Sequence, residues 1–423
     1  MALNRAIAPE FKTPSTVEIT QPKASHLTNG IPFYLLKSGE TPVIRIEFIF
    51  KAGNYYESQA GLSLFTSKML REGSQNFTGS ELEEKIAFYG GFLEVNQGMD
   101  RVTVAVYILS KHLTNVLPVL IELITKPAFP EKEFLNLKNI TKQNLKINLQ
   151  KTSYLASAGF KESLFGKEHP YGRTLTEEAI DSIDLAKISS YYNNYFNSKN
   201  CIILVCGSGS EDFHKIFNDS FGQLSWGKNH DAVVTNNSSQ YYGERKIEKE
   251  NTVQASIRLG RMMFALQHPD YYKANLLIEI LGGYFGSRLM KNIREDKGLT
   301  YGISASLVNL EHAGYFAIGT DVKKEFTEQT LEEIHKEINL LKTELVGEEE
   351  LTTVKNYLLG SFLNSLTTPF ALGDKFKTIC FNNLNYSFYD NYLESMKTIT
   401  ASELQETANK YFTDSSFTEV VAG

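Results

Sequence analysis

The sequence predicts an α+β protein made of two copies of one unit, each a mostly antiparallel sheet covered by helices. Three observations lead there. The first is self-similarity at a fixed offset. Glu131, Glu133, Lys138 and Asn139 recur as Glu348, Glu350, Lys355 and Asn356, an offset of 217, and Ile183, Asn193, Tyr195 and Phe196 recur as Ile399, Asn409, Tyr411 and Phe412, an offset of 216. Two separated matches at nearly one offset mark a duplicated unit of about 200 residues. The second is strands that come in hairpin pairs, and the third is long helical periodicity grouped around them. Strict strand–helix alternation, the sign of a parallel sheet, is missing.

The elements follow in order. Residues 42–51 alternate apolar and polar side chains, the pattern of a half-buried strand. Residues 80–90 read as a helix, and 92–96 and 101–109 as a hairpin turning at Gln97–Asp100. Helical periodicity covers 112–125 and 131–148. In the second copy, 251–261 is a strand and 301–308 with 315–322 is the matching hairpin. Residues 327–345 and 348–366 are the matching helices. The segment His230–Tyr241 is polar and rich in Asn and Ser, as linkers are. The first unit is therefore placed at 15–225, a linker at 226–244 and the second unit at 245–423. A sheet with helices on one face leaves the other face free, and two units can turn those faces toward each other.

Composition narrows the function. Forty-three Lys and Arg against 49 Asp and Glu leave a net charge of −6, with no basic stripe, so nucleic acid is not an expected partner. No apolar run reaches the ~18–20 residues that span a bilayer, so no membrane partner is expected. The N-terminal stretch has no apolar core of signal-peptide type, which favours the cytoplasm, or the periplasm or an organelle if a leader was removed. Cys201, Cys206 and Cys380 cannot build a disulfide framework, and the first two flank a buried-strand run, where a thiol packs as a small hydrophobe. The eight histidines (26, 112, 169, 214, 230, 268, 312 and 335) share no i, i+3 or i+4 spacing, so none is read as a metal ligand.

Residues 60–74 read as one helix, with Ser58 placed to cap it and Gly73 just beyond its end. Gly61, Leu62, Met69, Leu70, Gly73 and Ser74 fit the frame G-L-x-H-x-x-E-H-M-L-x-x-G-[TS], and here the chain resembles the pitrilysin (insulinase and mitochondrial-processing-peptidase) family of inverted-motif zinc peptidases. The resemblance, with the duplication, implies half of a clamshell chamber. In the family, two imidazoles at i and i+4 bind Zn²⁺ on one helix face, and the carboxylate between them activates the metal-bound water. Those three positions are Leu64, Ser67 and Lys68 in this chain. Leucine ligates nothing, a lone serine is no general base, and an ammonium repels a cation. A third family ligand, a glutamate, comes from a later helix, yet Phe134 to Lys161 contains neither Asp nor Glu. No cofactor is therefore expected in this chain.

A second motif is kept. The run from Leu281 to Leu307, LGGYFGSRLMKNIREDKGLTYGISASL, looks like the family's S-R-L…I-R-E-x-[KR]-G-L-x-Y segment. Its helix is expected over Ser287–Asp296, stopping at Gly298, which suits a left-handed cap. Arg294 and Tyr301 fall on the family's Arg/Tyr pair, seven residues apart, and the first unit has Ala87 and Glu94 at the equivalent places. In active relatives that pair reaches the peptide bound at the zinc. A guanidinium fork and a phenol suit the oxygen that turns negative in a tetrahedral intermediate. The plainer alternative pairs Arg294 with Glu295 or Asp296 and packs Tyr301 into the sheet. The glycine-rich run Gly282–Gly286 lacks a phosphate-loop pattern. It is also shorter than the loop of the family's presequence-binding subunits.

The resemblance implies a non-catalytic subunit of a heterodimeric zinc metallopeptidase acting on short or unfolded peptides. Its partner is a homologous subunit that carries the zinc, while Arg294 and Tyr301 bind substrate and stabilise the transition state. No peptidase activity is expected of the chain alone. The alternative is a non-enzymatic structural or peptide-binding scaffold of the same family.

Overall fold

The computed structural model describes residues 17–209, 212–228, 241–413 and 416–423. The first unit contributes β1 (Lys23–His26), β2 (Pro32–Lys37), β3 (Val43–Phe50), α1 (Leu62–Met69), α2 (Gly79–Phe88), β4 (Phe92–Gln97), β5 (Val102–Leu109), α3 (Leu113–Thr125), α4 (Glu131–Asn148), α5 (Thr152–Phe165), α6 (Glu177–Ser182), α7 (Leu185–Tyr195), β6 (Cys201–Gly207) and α8 (Phe213–Ser220). The second repeats the plan with β7 (Gly243–Ile247), β8 (Gln254–Met263), α9 (Tyr271–Ile278), β9 (Thr300–Asn309), β10 (Gly314–Lys323), α10 (Thr327–Thr343), α11 (Glu348–Asn364), α12 (Pro369–Phe381), α13 (Ser387–Thr398), α14 (Ala401–Tyr411) and β11 (Thr418–Ala422). The α+β class is as expected. Most of the proposed linker, residues 229–240, lies outside the described residues, and Lys228 is still tied to Asn193 by a 2.6 Å backbone hydrogen bond.

Among the described residues the strands form two sheets, in the orders β1-β2-β6-β3-β5-β4 and β7-β11-β8-β10-β9. Each is antiparallel except for one parallel pair, β2–β6 and β7–β11. Along β3, Ile44, Ile46, Phe48 and Phe50 enter the first unit's core, where they meet Phe65, Leu120 and Phe217. An analogous core surrounds Leu259, Phe316, Ile338 and Phe412 in the second unit.

The opposite sheet faces are not left free. The two units exchange helices: α12 of the second lies on β2 and β6 of the first, and α5 of the first lies on β8 and β11 of the second. The start of α12 follows the start of α5 by 369 − 152 = 217 residues, so the exchange is reciprocal between duplicated elements. Beneath α12, Leu36, Ile49, Leu204 and Cys206 pack with Leu372. The polar positions of β3 are also covered: Arg45 is 5% and Glu47 3% exposed. Arg45 reaches the Phe370 carbonyl at 2.9 Å and Asp374 at 2.8 Å, and Lys377 reaches Glu47 at 2.6 Å. On the other side Arg258 bonds Ser157, and Ser256 bonds Thr152.

The tips of the two hairpins also meet. The backbone N–H of Glu311 donates to Asp100 at 3.1 Å, and Arg101 pairs with Glu311 at 3.0 Å.

Since each sheet borrows a helix, neither half should fold alone. A fragment ending at residue 228 bares Leu36, Ile49 and Leu204 and strips Arg45 and Glu47 of partners that lie in α12, a loss of apolar burial and of buried charge pairing together. Expressed singly it is expected to be insoluble, and co-expressed with 229–423 to elute as one stoichiometric complex. A soluble, cooperatively unfolding first fragment would contradict the exchange.

Candidate functional site

The helix at the degenerate motif is shorter than expected. α1 spans Leu62–Met69 and tightens into a 3₁₀ turn over Leu70–Glu72 that ends at Gly73. Ser58 does not cap it. Gly61 holds the N-cap at φ 96° with no side-chain cap of its own, and Glu57 takes the role from four residues upstream. Its carboxylate accepts the N–H groups of Gly61 (3.2 Å) and Ser63 (2.9 Å), two donors that a helix start leaves unpaired. A β-carbon at Gly61 would stand 2.9 Å from Leu175, so the position needs glycine on both counts.

Leu64 is half-buried, and Ser67 is buried with its hydroxyl spent on the Ser63 carbonyl at 2.5 Å and the Leu64 carbonyl at 3.2 Å. Lys68 points to solvent. On α4, which packs against α1, the buried positions are Phe134, Thr141 and Leu145. This donor set does not fit zinc: an alkyl group, a hydroxyl already donating to backbone and a cation supply no lone pair to a metal. Among the described residues no three His, Cys, Asp or Glu side chains converge to hold one. His169 and His335 have other partners, the Tyr171 N–H and Glu419, and His230 lies outside the described residues.

Burial pushes Glu57 up to about 7, against the opposing pull of its two backbone donors and Arg173. Its folded value thus exceeds its unfolded one. The stability it contributes is fully present below about pH 4.5 and is lost as the pH rises through 7. The drop amounts to about 3 kcal/mol at most. Urea midpoints should therefore show a falling pH slope between about 4.5 and 7 that Glu57→Gln removes. An unchanged slope in the variant would refute the assignment.

In the second unit, the helix expected over Ser287–Asp296 has an unusual form. α9 widens into a π-helical turn at Glu279–Gly283, and a second π segment runs Met290–Asp296. The Lys297 N–H bonds the Asn292 carbonyl five residues back, at 3.1 Å. π turns are rare and concentrate at functional sites, because they rotate side chains out of helical register at a cost in stability. The equivalent helix of the first unit, α2, is an ordinary α-helix with a Thr78–Glu81 capping box. Neighbours pin the π segment. Asn292 donates to Glu333 (2.9 Å) and Glu337 (2.6 Å), and Arg288 forks onto Glu350 at 2.9 and 2.8 Å.

Arg294 projects from this segment without an ion pair among the described residues; neither Glu295 nor Asp296 engages it. Its guanidinium carbon lies 4.6 Å from the ring centre of Phe285. Gly298 then turns the chain at φ 63°, as its place after the helix implied. β9 follows, and its pairing with β10 slips between Thr320 and Val322, opposite Ile303 and Thr300. This bulge aims Tyr301 out of the sheet, where it is 95% exposed. Beside it an open recess of about 430 Å³ is floored by Gly302, Ser304 and Arg258. The plainer alternative for both residues is thus not what the structure has: Arg294 is not in a surface ion pair and Tyr301 is not packed. No hydrogen bond joins the two, and none links them to α1. Ala87 and Glu94 sit on α2 and β4 with no comparable setting. Sequence reasoning missed Phe285 and Glu57; an aromatic pair, Tyr284 and Phe285, set among glycines was the available signal for the first.

The two halves match models of two domains of one family. Residues 34–168 match the insulinase (peptidase family M16) domain, and residues 182–358 match the peptidase M16 inactive domain. The chain belongs to the pitrilysin/insulinase family. Curated M16 relatives include an uncharacterized zinc protease YmxG of Bacillus subtilis, 24% identical over 80% of this chain and 83% of its own length. Another is a non-peptidase homolog YmxG of Helicobacter pylori, 25% identical over 78% and 80%. Among solved structures, a peptidase M16 inactive domain from Pseudomonas fluorescens superposes with a TM-score of 0.86 at 24% identity, covering 95% of this chain and 98% of that one. A protease from Helicobacter pylori gives 0.86 at 19%, covering 96% and 100%. These structures share the half-chamber fold. The chain is an inactive-type M16 homologue. No helix among the described residues is long and apolar enough to cross a membrane.

Proposed function

We propose that the chain is the non-catalytic subunit of a two-chain M16 zinc metallopeptidase that cleaves short or unfolded peptides. A homologous partner with an intact H-x-x-E-H helix supplies the metal and the general base. This chain supplies the other half of the chamber and the Arg294/Tyr301 pair. The observation that carries the reading is the contrast between the units: the metal helix has ordinary α geometry and spent donors, while the Arg294 segment keeps a costly π geometry and two polar side chains with no hydrogen bond or ion pair among the described residues. A guanidinium with its N–H donors unpaired and a phenol at the mouth of an open recess suit a peptide carbonyl, and bind it more tightly once its oxygen becomes negative.

Alone, the purified chain is expected to hold no stoichiometric zinc and to cleave no flexible peptide; mixed with its partner it is expected to yield chelator-sensitive hydrolysis. Zinc retained at one equivalent, with hydrolysis by the single chain, would overturn the reading. A scaffold role is the second reading, favoured by the Helicobacter relative's naming as a non-peptidase homolog. It is separated by the Arg294 and Tyr301 substitutions argued in the Discussion.

A further inference from the structure

We propose that Phe285 is a positioning residue for Arg294: its exposed ring is the platform that holds the guanidinium flat and facing the peptide. The inference rests on the role given to Arg294 above. Phe285 is a large apolar side chain left 64% exposed, an exposure that costs free energy and that its contact with Arg294 partly offsets. It stands between Gly283, Tyr284 and Gly286, and a β-carbon at either glycine would run into Glu279 (2.3 Å) or Tyr284 (2.8 Å). The loop thus keeps the Glu279 and Tyr284 side-chain ends closed over these two glycines. That shape presents Phe285 outward, with the Arg294 guanidinium carbon 4.6 Å from its ring centre.

The chemistry fits holding better than burial. A carboxylate partner would fix Arg294 more strongly, but it would take the same N–H donors that a carbonyl needs and cancel the positive charge. A π face attracts the guanidinium through its quadrupole while leaving the in-plane donors free. Both π-helical turns abut this loop, Glu279–Gly283 before it and Met290–Asp296 after it, so one distorted stretch sets both partners of the contact.

The test uses the full chain, labelled with ¹⁵N at arginine Nε, and a fluorescent unstructured peptide as probe. The Nε–H signal of Arg294, assigned by its loss in Arg294→Lys, should carry a ring-current shift. Phe285→Leu keeps apolar bulk but has no π face. It is expected to abolish that shift and to weaken peptide binding about two- to fivefold, the size of an exposed cation–π contact. Phe285→Trp, with the stronger π face, is expected to retain both. A surface-packing role would instead let leucine substitute and would not distinguish it from tryptophan. If Arg294→Ala weakens the peptide while Phe285→Leu changes neither signal nor affinity, the platform is refuted and the role of Arg294 stands. If Arg294→Ala binds peptide as the wild type does and also turns over normally with the partner subunit, the underlying reading falls instead.

Discussion

Arg294→Ala, measured in the reconstituted two-chain enzyme, is expected to lower kcat about 10²-fold, the loss typical of one removed oxyanion donor. The expectation follows from what the residue is not doing in the free chain. It has no carboxylate partner, so its loss leaves no buried group orphaned and should change the melting temperature little. The deficit should therefore lie in turnover. Equal losses in kcat and kcat/KM would mean that the donor acts on the charge developing in the transition state, whereas a rise in KM alone would make it a substrate clamp. Arg294→Lys keeps the charge and loses the planar fork, so it should recover only part of the rate. Tyr301→Phe removes one hydroxyl from a side chain that is 95% exposed, and under the proposal that both residues serve one oxygen its effect should add less than fully to that of Arg294→Ala. Full activity in both variants would favour the scaffold.

Arg45→Ala should have the largest effect on stability, about 3–5 kcal/mol, the cost of breaking a buried pair from one side. A folded domain has roughly 5–15 kcal/mol in total. The guanidinium is 6% exposed and sits at the junction of both units, against the Phe370 carbonyl, Asp374 and Glu47. Glu47 Oε2 lies 3.0 Å from it, an ion-pair distance without hydrogen-bond alignment. Without Arg45, Glu47 keeps Lys377 alone in a buried setting, and the Phe370 carbonyl loses its donor. Urea unfolding followed through Trp226, which is buried in the first unit's core, would measure the loss. Replacing Arg45 and Glu47 together by Met and Leu should restore most of it, since an apolar pair of similar volume avoids the desolvation cost. A loss below about 1 kcal/mol in Arg45→Ala would place the network in the class of surface ion pairs.

The duplication was legible because its marker residues do the same job twice. Lys138 donates to the Ile183 carbonyl at 2.9 Å, just beyond the end of α6, and Lys355 donates to the Ile399 carbonyl at 2.6 Å, just beyond α13. An ammonium at a helix C-terminus satisfies carbonyls that the helix leaves open. Asn193 and Asn409 each bond a carbonyl four residues back, and Phe196 and Phe412 each fill a core. Local, repeated roles of this kind leave a periodic trace. Hairpins and long helices were legible for the same reason, since their periods of 2 and 3.6 are written in the residues themselves.

Other features left no such trace. The cap of α1 comes from Glu57 rather than Ser58 because the chain bends at Gly61, a conformation that spacing does not specify. The π geometry around Arg294 comes from pins on other elements, Asn292 to α10 and Arg288 to α11, and an alternation pattern could not foresee the bulge that turns Tyr301 outward. The exchange of α5 and α12 was equally hidden. Polar residues on β3 read as solvent-facing, and Arg45 and Glu47 are buried only because a helix from some 325 residues away lies over them. The sequence by itself thus determined the repeated unit and its elements, properties of residue type at short range. The tertiary structure alone decided which faces are covered and which side chains stay unpaired, since those depend on long-range packing between the two copies.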